Sequence, residues 1–423
     1  MATFNWTGWN DGKLPTLEPH SQAKLSVLGD YVTDYICILC ANSFGRDVFK
    51  ITLVDGFAGG GAYEGQKQGS PFVLLQAVAA AETKINATRD KPIKIDCHYY
   101  FVEKDQVNFD CLQFQLQQSI YKSELGKTIF LLRGAFHEHQ TQIVAKTKER
   151  FTRGGSRVIF FLDQCGYTDV HPLMLRNISE QLNKKAEYII NFAVSWLTDF
   201  IGDESKLTAM LSNLGLESEL TAKELIEAKE RSGFDWRYLI ESRIGTAYRK
   251  VAGAAFFSPF YIAPIDNHRG YWLLHLAPHI RARSAMLGVH WANANGHLHF
   301  GHLGLNMLSY KPEADQGGYL NGFAFDAMTK NSAKVGLKTD FARVIRDSHT
   351  DGISFQEFAN HYCNSTIADE ELMSQTLAEL SAENEIIIRG PKGRPKRSES
   401  VSPKDIILPC NQLVFQKLKN PPI

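Results

Sequence analysis

The sequence of 423 residues lacks several features that would assign it to a special class of protein. Its 46 Lys+Arg balance its 46 Asp+Glu, so the chain as a whole has no net field that attracts polyanions. Any nucleic-acid site must therefore come from local clusters of charge. No apolar run is long enough to span a bilayer, and the N-terminus has no basic region followed by an apolar core. We expect a soluble, cytoplasmic protein that has no membrane partner.

Cysteine and nucleotide-hydrolase signatures are also sparse. The 7 cysteines are odd in number and scattered, which fits a reducing compartment better than a disulfide framework. Cys37 and Cys40 form a CxxC inside an apolar helical run, where two buried thiols are the simplest interpretation. The chain has no Walker Gly-Lys-Ser/Thr sequence and no compact acidic cluster for a metal, which disfavours a nucleotide hydrolase or nuclease.

Strand-like and helix-like segments alternate from about residue 50 to residue 200. The predicted strands are continuously apolar, as in sheets that are covered by helices on both faces, and they span residues 49–54, 95–102, 128–132, 157–162 and 187–194. This alternation predicts an α/β fold with a doubly wound, mostly parallel Rossmann-like sheet. We assign residues 1–310 to this domain, with a helical insertion at about 200–250 and a late strand at 271–276.

The composition changes after residue 310. Residues 311–338 are rich in Gly, Asn, Asp and Lys and are interpreted as a linker. Residues 339–423 then show three helix-like segments followed by two short strands, at 340–346, 354–362, 368–381, 385–388 and 405–408. Three helices before a two-stranded hairpin predict a C-terminal winged helix-turn-helix domain.

A glycine-rich loop follows the first strand, in the sequence LVDGFAGGG. Its candidate cofactor-binding residues are Asp55, Gly56, Phe57, Gly59 and Gly61. Glycines allow a ligand to approach the backbone, and an acid at the second strand end, Glu103, could accept hydrogen bonds from ribose hydroxyls. Because the loop begins with an acid and does not lead directly into a helix that could hold a pyrophosphate, S-adenosylmethionine is favoured over NAD.

Two further groups would complete an active site at the same edge of the sheet. Asp163 follows the strongest strand and could orient an amine or hydroxyl acceptor for attack on a methyl group, while Tyr167 could stack on a planar acceptor. His20 and Lys24 lie one helical turn apart and could cover the cofactor or contact the acceptor. The alternative for Asp163 is that it only caps the following turn.

Two other clusters carry weaker indications. Histidines at 290, 297, 299 and 302 include a His-x-His pair, but no cysteine or carboxylate completes a metal site, so incidental histidines are favoured. The predicted wing carries five basic residues around a Gly-Arg-Pro sequence that resembles an AT-hook core: Arg389, Lys392, Arg394, Lys396 and Arg397. This run predicts nucleic-acid binding, most simply to DNA, the alternative being a solvated hairpin tip.

The chain resembles the three-Cys-motif partner proteins, a bacterial family with a class I methyltransferase-like fold. The resemblance runs from about residue 20 to residue 299, and its anchors are PHSxxK, VDGFAGxG, GSP, FVE and FLDxxG. The resemblance implies a methyltransferase-like core and a partner protein that carries a three-cysteine motif, such as an iron–sulfur radical enzyme.

The spacing of His20, Lys24 and the glycine loop is also similar to that of ribosomal-RNA adenine methyltransferases. In those enzymes the acid begins an Asp-Pro-Pro-Tyr motif that grips an exocyclic amine, whereas this chain keeps Asp163 but lacks both prolines. Two functions stay open from the sequence. One is an S-adenosylmethionine-dependent methyltransferase that acts on or binds nucleic acid, and the other is a non-catalytic, nucleic-acid-binding partner protein.

Overall fold

A seven-stranded sheet forms the centre of the molecule. The structure is a computed structural model and describes residues 6–41, 47–151, 156–164, 166, 168–193, 201–232, 236–262, 271–293, 299–300, 304–305, 322–323, 327–396 and 399–410. The strands of the sheet are β1 (Val48–Asp55), β2 (Lys94–Glu103), β3 (Ile129–Arg133), β4 (Ser156–Leu162), β5 (Ala186–Phe192), β6 (Phe256–Ile262) and β7 (Tyr271–Ala277).

The strand order is β3-β2-β1-β4-β5-β7-β6. The first five strands are mutually parallel and have the 3-2-1-4-5 order of a doubly wound sheet, with the topological switch between β1 and β4. Strand β7 runs antiparallel to both of its neighbours. The mostly parallel Rossmann-like sheet predicted from the sequence is confirmed, and the late strand predicted at 271–276 is β7.

Helices cover both faces of this sheet, as the continuously apolar strands predicted. They are α1 (Pro19–Ala41), α2 (Ser70–Asn86), α3 (Gln106–Gln118), α4 (Phe136–Glu149), α5 (Pro172–Gln181), α6 (Glu204–Asn213), α7 (Ala222–Ser232), α8 (Trp236–Val251) and α9 (Ile280–Asn293). Helices α6 to α8 occupy the segment interpreted as a helical insertion. Along β4, Phe160 and Leu162 enter one apolar core while Ile159 and Phe161 enter the other, because successive side chains of a strand point to opposite faces.

The C-terminal part contains three helices and a small sheet. Helices α10 (Ala327–Ser348), α11 (Phe355–Tyr362) and α12 (Glu370–Ala382) accompany strands β10 (Ile353–Ser354), β11 (Ile386–Arg389) and β12 (Ile406–Pro409). The three strands form an antiparallel sheet in the order β10-β12-β11. Two further short strands, β8 (His299–Phe300) and β9 (Gly322–Phe323), pair with each other.

The linker predicted over residues 311–338 is wrong for residues 327–338. Helix α10 begins at Ala327, 13 residues before the expected start near residue 340. Ala333, Leu337, Phe341 and Ile345 are spaced every four residues and are at most 1% exposed. This apolar stripe extends the helix through a polar-looking sequence, because burial of one face outweighs the glycine and asparagine around it.

The C-terminal part packs against α9 and the edge strand β6. The Asn364 side chain accepts a hydrogen bond from the Phe257 amide at 2.9 Å and donates one to the Ala255 carbonyl at 2.9 Å, so it pairs with the edge as a strand would. Arg283 of α9 is fully buried and donates to three backbone carbonyls, those of Phe257, Thr366 and Ala368.

Among the described helices, none is both long and apolar enough to cross a membrane.

Candidate functional site

Three carboxylates lie together at the carboxyl ends of neighbouring parallel strands. Asp55 ends β1, Glu103 ends β2, and Asp163 directly follows β4. Within the sheet Asp55 is paired with Phe101 of β2 on one side and with Phe161 of β4 on the other. Glu103 and Asp163 each lie two residues beyond these partners. This is the edge at which doubly wound sheets bind ligands, and the sequence predicted all three acids there.

Asp55 is the most deeply buried member of this acidic site. Its side chain is 0% exposed, and its Oδ1 atom accepts a hydrogen bond from the Phe57 amide at 3.1 Å. Its Oδ2 atom has no hydrogen-bond partner among the described residues. Burial raises the pKa of Asp55 from 3.8 to about 7, and the negative charges of Asp163 and Glu103 push the pKa in the same direction. The site therefore contains an acceptor that is ready for a donor, above all a cationic one.

Glu103 fixes the shape of the glycine loop. Its Oε2 atom accepts a hydrogen bond from the Gly59 amide at 2.7 Å, and its Oε1 atom accepts one from the Asp105 amide at 2.8 Å. Burial raises the pKa of Glu103 above its ordinary 4.5, while these two amides oppose the shift. Gly59 has a φ of 61°, a backbone conformation that glycine adopts more readily than other residues. This conformation explains why a glycine stands where the amide turns towards Glu103. Each carboxylate oxygen keeps a second lone pair for a ligand hydroxyl.

The rest of the loop is tied to the strands on both sides. The Gly56 amide donates to the Phe161 carbonyl at 2.9 Å, and the Ala58 amide donates to the Val102 carbonyl at 2.9 Å. A Cβ atom at Gly56 would approach Leu162 to 2.7 Å, and one at Gly61 would approach Leu112 to 2.7 Å. These two glycines thus pack closely against leucine side chains inside the protein, whereas the sequence analysis interpreted them as room for a ligand.

Asp163 is bound by Lys24, the residue that the sequence analysis placed one helical turn after His20. The Lys24 ammonium lies 2.7 Å from Oδ1 and 2.8 Å from Oδ2 of Asp163, and the Lys24 side chain is only 7% exposed. His20 lies one turn earlier, where burial first and then the charge of Lys24 lower its pKa below 6.5. The structure thus brings the predicted lysine and acid into direct contact across 139 residues.

Gln164 holds the loop after β4, where the related motif would have a proline. It is fully buried, and its Oε1 atom accepts hydrogen bonds from the amides of Asp169 and Val170, both at 3.0 Å. The Asn191 side chain adds a bond to the Gln164 carbonyl at 3.3 Å. The buried Gln164 amide oxygen therefore joins the position after Asp163 to the backbone of Asp169 and Val170. Tyr167, the predicted stacking residue, lies outside the described residues, as does Cys165.

Three residues at the site were not proposed from the sequence. Tyr63 is near the acids, since burial first and then Asp163 and Asp55 raise its pKa. The Ser70 hydroxyl opposes the rise in the pKa of Asp55 from the start of α2. Trp6 is 3% exposed and lies over Gly59 and Gly60. The sequence carried a signal for Tyr63 and Ser70, because they follow the glycine loop closely. It carried none for Trp6, which lies 49 positions before Asp55.

The histidine cluster is only partly described. His290 lies buried in α9 with its ring stacked on Phe260. His297 and His302 fall outside the described residues. Among the described residues, no group of three or more His, Cys, Asp or Glu side chains could hold a metal ion.

The basic run forms a tight turn between β11 and β12. Gly390 donates to the Arg394 carbonyl at 2.9 Å, and Lys396 donates through its amide to the Ile388 carbonyl at 2.8 Å. Arg389, Lys392 and Arg394 are exposed, and Arg397 lies outside the described residues. Lys396 differs from these because its ammonium lies 2.6 Å from the carboxylate of Asp405, which is 2% exposed.

Comparison with known proteins returns distant structural likenesses. No protein-family model and no curated protein matches the chain. Among solved structures, loganic acid methyltransferase with SAH is 11% identical, covers 64% of this chain and 81% of its own, and has a TM-score of 0.26. Trm1 from Pyrococcus horikoshii, in complex with S-adenosyl-L-methionine, is 10% identical, covers 91% of this chain and 90% of its own, and has a TM-score of 0.26. These similarities are too low to assign the chain to the family of either protein.

Proposed function

We propose that the chain is an S-adenosylmethionine-dependent methyltransferase whose cofactor lies at the edge formed by β1, β2 and β4. The observation that carries this proposal is the buried carboxylate of Asp55, which ends the strand at the switch point of the sheet and whose Oδ2 atom has no hydrogen-bond partner among the described residues. An unpaired buried oxygen is costly unless a ligand supplies its donor. The ammonium group of the cofactor's amino-acid portion would be such a donor.

The charge of the site favours this cofactor over a dinucleotide. Asp55, Glu103 and Asp163 are three carboxylates, and the one cation in direct contact with them among the described residues is Lys24. The pyrophosphate of NAD would be repelled there, whereas the sulfonium and ammonium groups of S-adenosylmethionine would be attracted. Glu103 would hold the ribose hydroxyls, and the loop of Gly56, Phe57, Gly59 and Gly61 would line the amino-acid portion. The cofactor supplies an electrophilic methyl group.

Calorimetric titration tests this assignment directly. We expect S-adenosylmethionine and S-adenosylhomocysteine to bind the folded chain with about micromolar affinity, or roughly 8 kcal/mol. NAD, which serves as the control, should give no saturable heat. Saturable binding of NAD with none of either adenosyl ligand would contradict the proposal.

The contact between Lys24 and Asp163 points to how an acceptor would bind. Asp163 is 27% exposed, so an acceptor can reach it, but the Lys24 ammonium already contacts both of its oxygens. An acceptor amine or hydroxyl that bonds to Asp163 must therefore displace or share this ammonium. Asp163 would then orient the nucleophile towards the methyl group, and Lys24 would hold the empty carboxylate in place between turnovers.

We predict that Asp163→Asn lowers methyl transfer about 100-fold or more while cofactor affinity stays within a few-fold of the wild type, because only the acceptor loses its partner. Transfer of tritium from labelled S-adenosylmethionine into a pool of cellular RNA and sheared duplex DNA measures the rate. Asp169→Asn is the matched control, since Asp169 is an exposed acid in the same loop. Equal transfer by both variants would remove Asp163 from the mechanism.

We further propose that the C-terminal part is a winged helix that presents nucleic acid, most simply DNA, to the enzyme domain. Three helices with a three-stranded antiparallel sheet support this proposal, together with the exposed side chains of Arg389, Lys392 and Arg394 at the basic turn after β11. Phosphate contacts by such side chains give salt-dependent affinity. Lys396 would have a structural role in the wing instead, because it is paired with Asp405.

Replacing Arg389, Lys392 and Arg394 together by glutamine is expected to weaken binding to duplex DNA and to reduce the salt slope of log K by about one per lost phosphate contact. Fluorescence anisotropy at several salt concentrations measures both quantities. The control replaces three exposed lysines on other elements, Lys122, Lys148 and Lys223, so that the loss of charge is the same. If both triple variants lose affinity equally, the wing has no specific role.

A non-catalytic function is the second candidate. The observation that favours it is that both Asp163 oxygens are occupied by Lys24, which would suit a docking scaffold for a three-cysteine-motif partner protein. This candidate predicts that the wild type binds nucleic acid without transferring methyl groups to the RNA and DNA pool. Turnover by the wild type that Asp163→Asn abolishes would exclude it.

A further inference from the structure

The N-terminal residues 6–17 lie across the outside of the glycine loop, and we call them the N-terminal strap. The Trp6 indole Nε1 donates a hydrogen bond to the Ala62 carbonyl at 2.7 Å. At the other end of the strap, the Glu64 amide donates to the Pro15 carbonyl at 2.9 Å, and the Thr16 hydroxyl donates to the Glu64 carboxylate at 2.7 Å. The strap therefore contacts the loop through both backbone and side-chain groups.

The Trp6 ring makes the closest contacts of the strap with the loop. A Cβ atom at Gly60 would lie 2.5 Å from Cδ1 of Trp6, and one at Gly59 would lie 3.1 Å from its Cη2, so the ring rests on bare backbone. The ring also meets Tyr63 edge to face, with 5.3 Å between ring centroids. Trp6 is only 3% exposed although it lies near the end of the chain. The indole thus explains why the middle residue of the GGG sequence, Gly60, is a glycine.

The same loop segment positions the candidate cofactor ligands. The amide of Gly59, directly under the Trp6 ring, is bonded to Glu103, and Tyr63 lies near Asp55 and Asp163. Three successive glycines give a loop more conformational freedom than other residues would. A loop with this freedom binds a ligand weakly, because binding must then order it, unless another group has already reduced its freedom.

We propose that Trp6 is a positioning residue that holds the glycine loop in its cofactor-binding conformation through Gly59, Gly60 and Ala62. The inference rests on the proposed function, because it concerns the same cofactor site. It adds a residue that contacts the glycine loop from 49 positions before Asp55 in the sequence. Trp6 would act on cofactor affinity through the order of the loop.

Trp9 provides a matched control on the same strap. Its ring packs against Phe114 of α3, with 5.2 Å between ring centroids, whereas the atoms nearest to a Cβ at Gly59 or Gly60 belong to Trp6. If the strap only stabilised the fold, removal of either indole would have similar effects. If Trp6 positions the loop, its removal alone should alter the loop and the affinity for the cofactor.

The test compares Trp6→Ala, Trp6→Phe and Trp9→Ala in the full chain by hydrogen exchange of residues 59–66 and by titration with S-adenosylmethionine. We expect Trp6→Ala to increase exchange in this segment and to weaken binding about tenfold or more. Trp6→Phe keeps a ring but loses the bond to Ala62, and should give an intermediate effect. Trp9→Ala should leave both quantities within about twofold of the wild type.

The outcomes separate this inference from the proposed function. Unchanged exchange and affinity in a folded Trp6→Ala protein, or equal changes in Trp9→Ala, would overturn the role of Trp6. If Trp6→Ala does not fold, Trp6→Phe provides the test. Loop exchange and cofactor affinity equal to those of the wild type in Trp6→Phe would also overturn the role of Trp6. Failure of the wild type to bind the cofactor would instead contradict the proposed function, and loop exchange would still report on Trp6.

Discussion

Replacement of Asp55 by asparagine is expected to weaken binding of S-adenosylmethionine strongly and, at the same time, to stabilise the protein at alkaline pH. Asparagine keeps an oxygen for the Phe57 amide but removes the charge that would meet the cofactor's ammonium group. The loss of a buried charge-assisted hydrogen bond should cost about 100-fold in affinity, or roughly 3 kcal/mol. Isothermal titration measures this effect.

The stability effect follows from the raised pKa of Asp55. The pKa is about 7 in the folded chain against 3.8 for an unperturbed aspartate, so the folded state binds more protons between these two values. Stability that comes from the protonated form is therefore lost as the pH rises through this window. The difference of about 3 pH units, at 1.36 kcal/mol each, gives a cost on the order of 4 kcal/mol above neutral pH.

Chemical denaturation at about pH 5 and about pH 8 measures this cost. Asp55→Asn should be more stable than the wild type by a clear margin at the higher pH and by much less at the lower pH. The control is Asp96→Asn, since Asp96 lies near the other end of β2 and is paired with Arg150 at 3.0 Å. It should lose stability at neutral pH and keep cofactor binding. An Asp55→Asn protein that binds the cofactor normally would contradict the assignment of the site.

The second large effect is expected for Arg283→Met, which should destabilise the chain by about 3–5 kcal/mol. The guanidinium is 0% exposed and donates to the carbonyls of Phe257, Thr366 and Ala368, so methionine would leave three buried acceptors without their donor. Because these carbonyls belong to β6 and to the segment before α12, the change should also loosen the C-terminal part from the sheet.

Urea unfolding measures the loss of stability, and limited proteolysis reports release of the C-terminal part. Arg281→Met is the matched control, because Arg281 is exposed two residues earlier on α9 and loses the same charge. Arg283→Lys should restore little, since an ammonium cannot reproduce the planar fork of donors. Equal urea midpoints for Arg283→Met and Arg281→Met would contradict this account of the interface.

The strands and the acids of the site could be predicted because their signals are local. Each strand of the parallel sheet is a short apolar run, and Asp55, Glu103 and Asp163 each follow such a run. Once the strands are known to be parallel, their carboxyl ends must share one edge. Edge strand β6 was missed because its run is short and interrupted by Pro259.

Other features depend on contacts between distant segments and have no local signal. The linker prediction failed because residues 311–338 hold four glycines and two asparagines but only the first part of the buried stripe that makes α10 a helix. The hydrogen bonds from the Asp169 and Val170 amides to the buried side chain of Gln164 likewise join residues whose pairing no sequence spacing indicates. Neither burial nor a hydrogen-bond partner across the sheet can be obtained from sequence spacing alone.

By itself, the sequence determined the alternation of strands and helices, the glycine loop and the acids at the strand ends, because these depend on periodicity and on residues close in the chain. Only the tertiary structure decided what these groups contact. It joined Lys24 to Asp163, buried Asp55 with one oxygen that no other described residue bonds, and set Trp6 on Gly60. The physical reason is that pairing and desolvation are set by atoms within a few ångströms in space, whichever residues of the chain supply them.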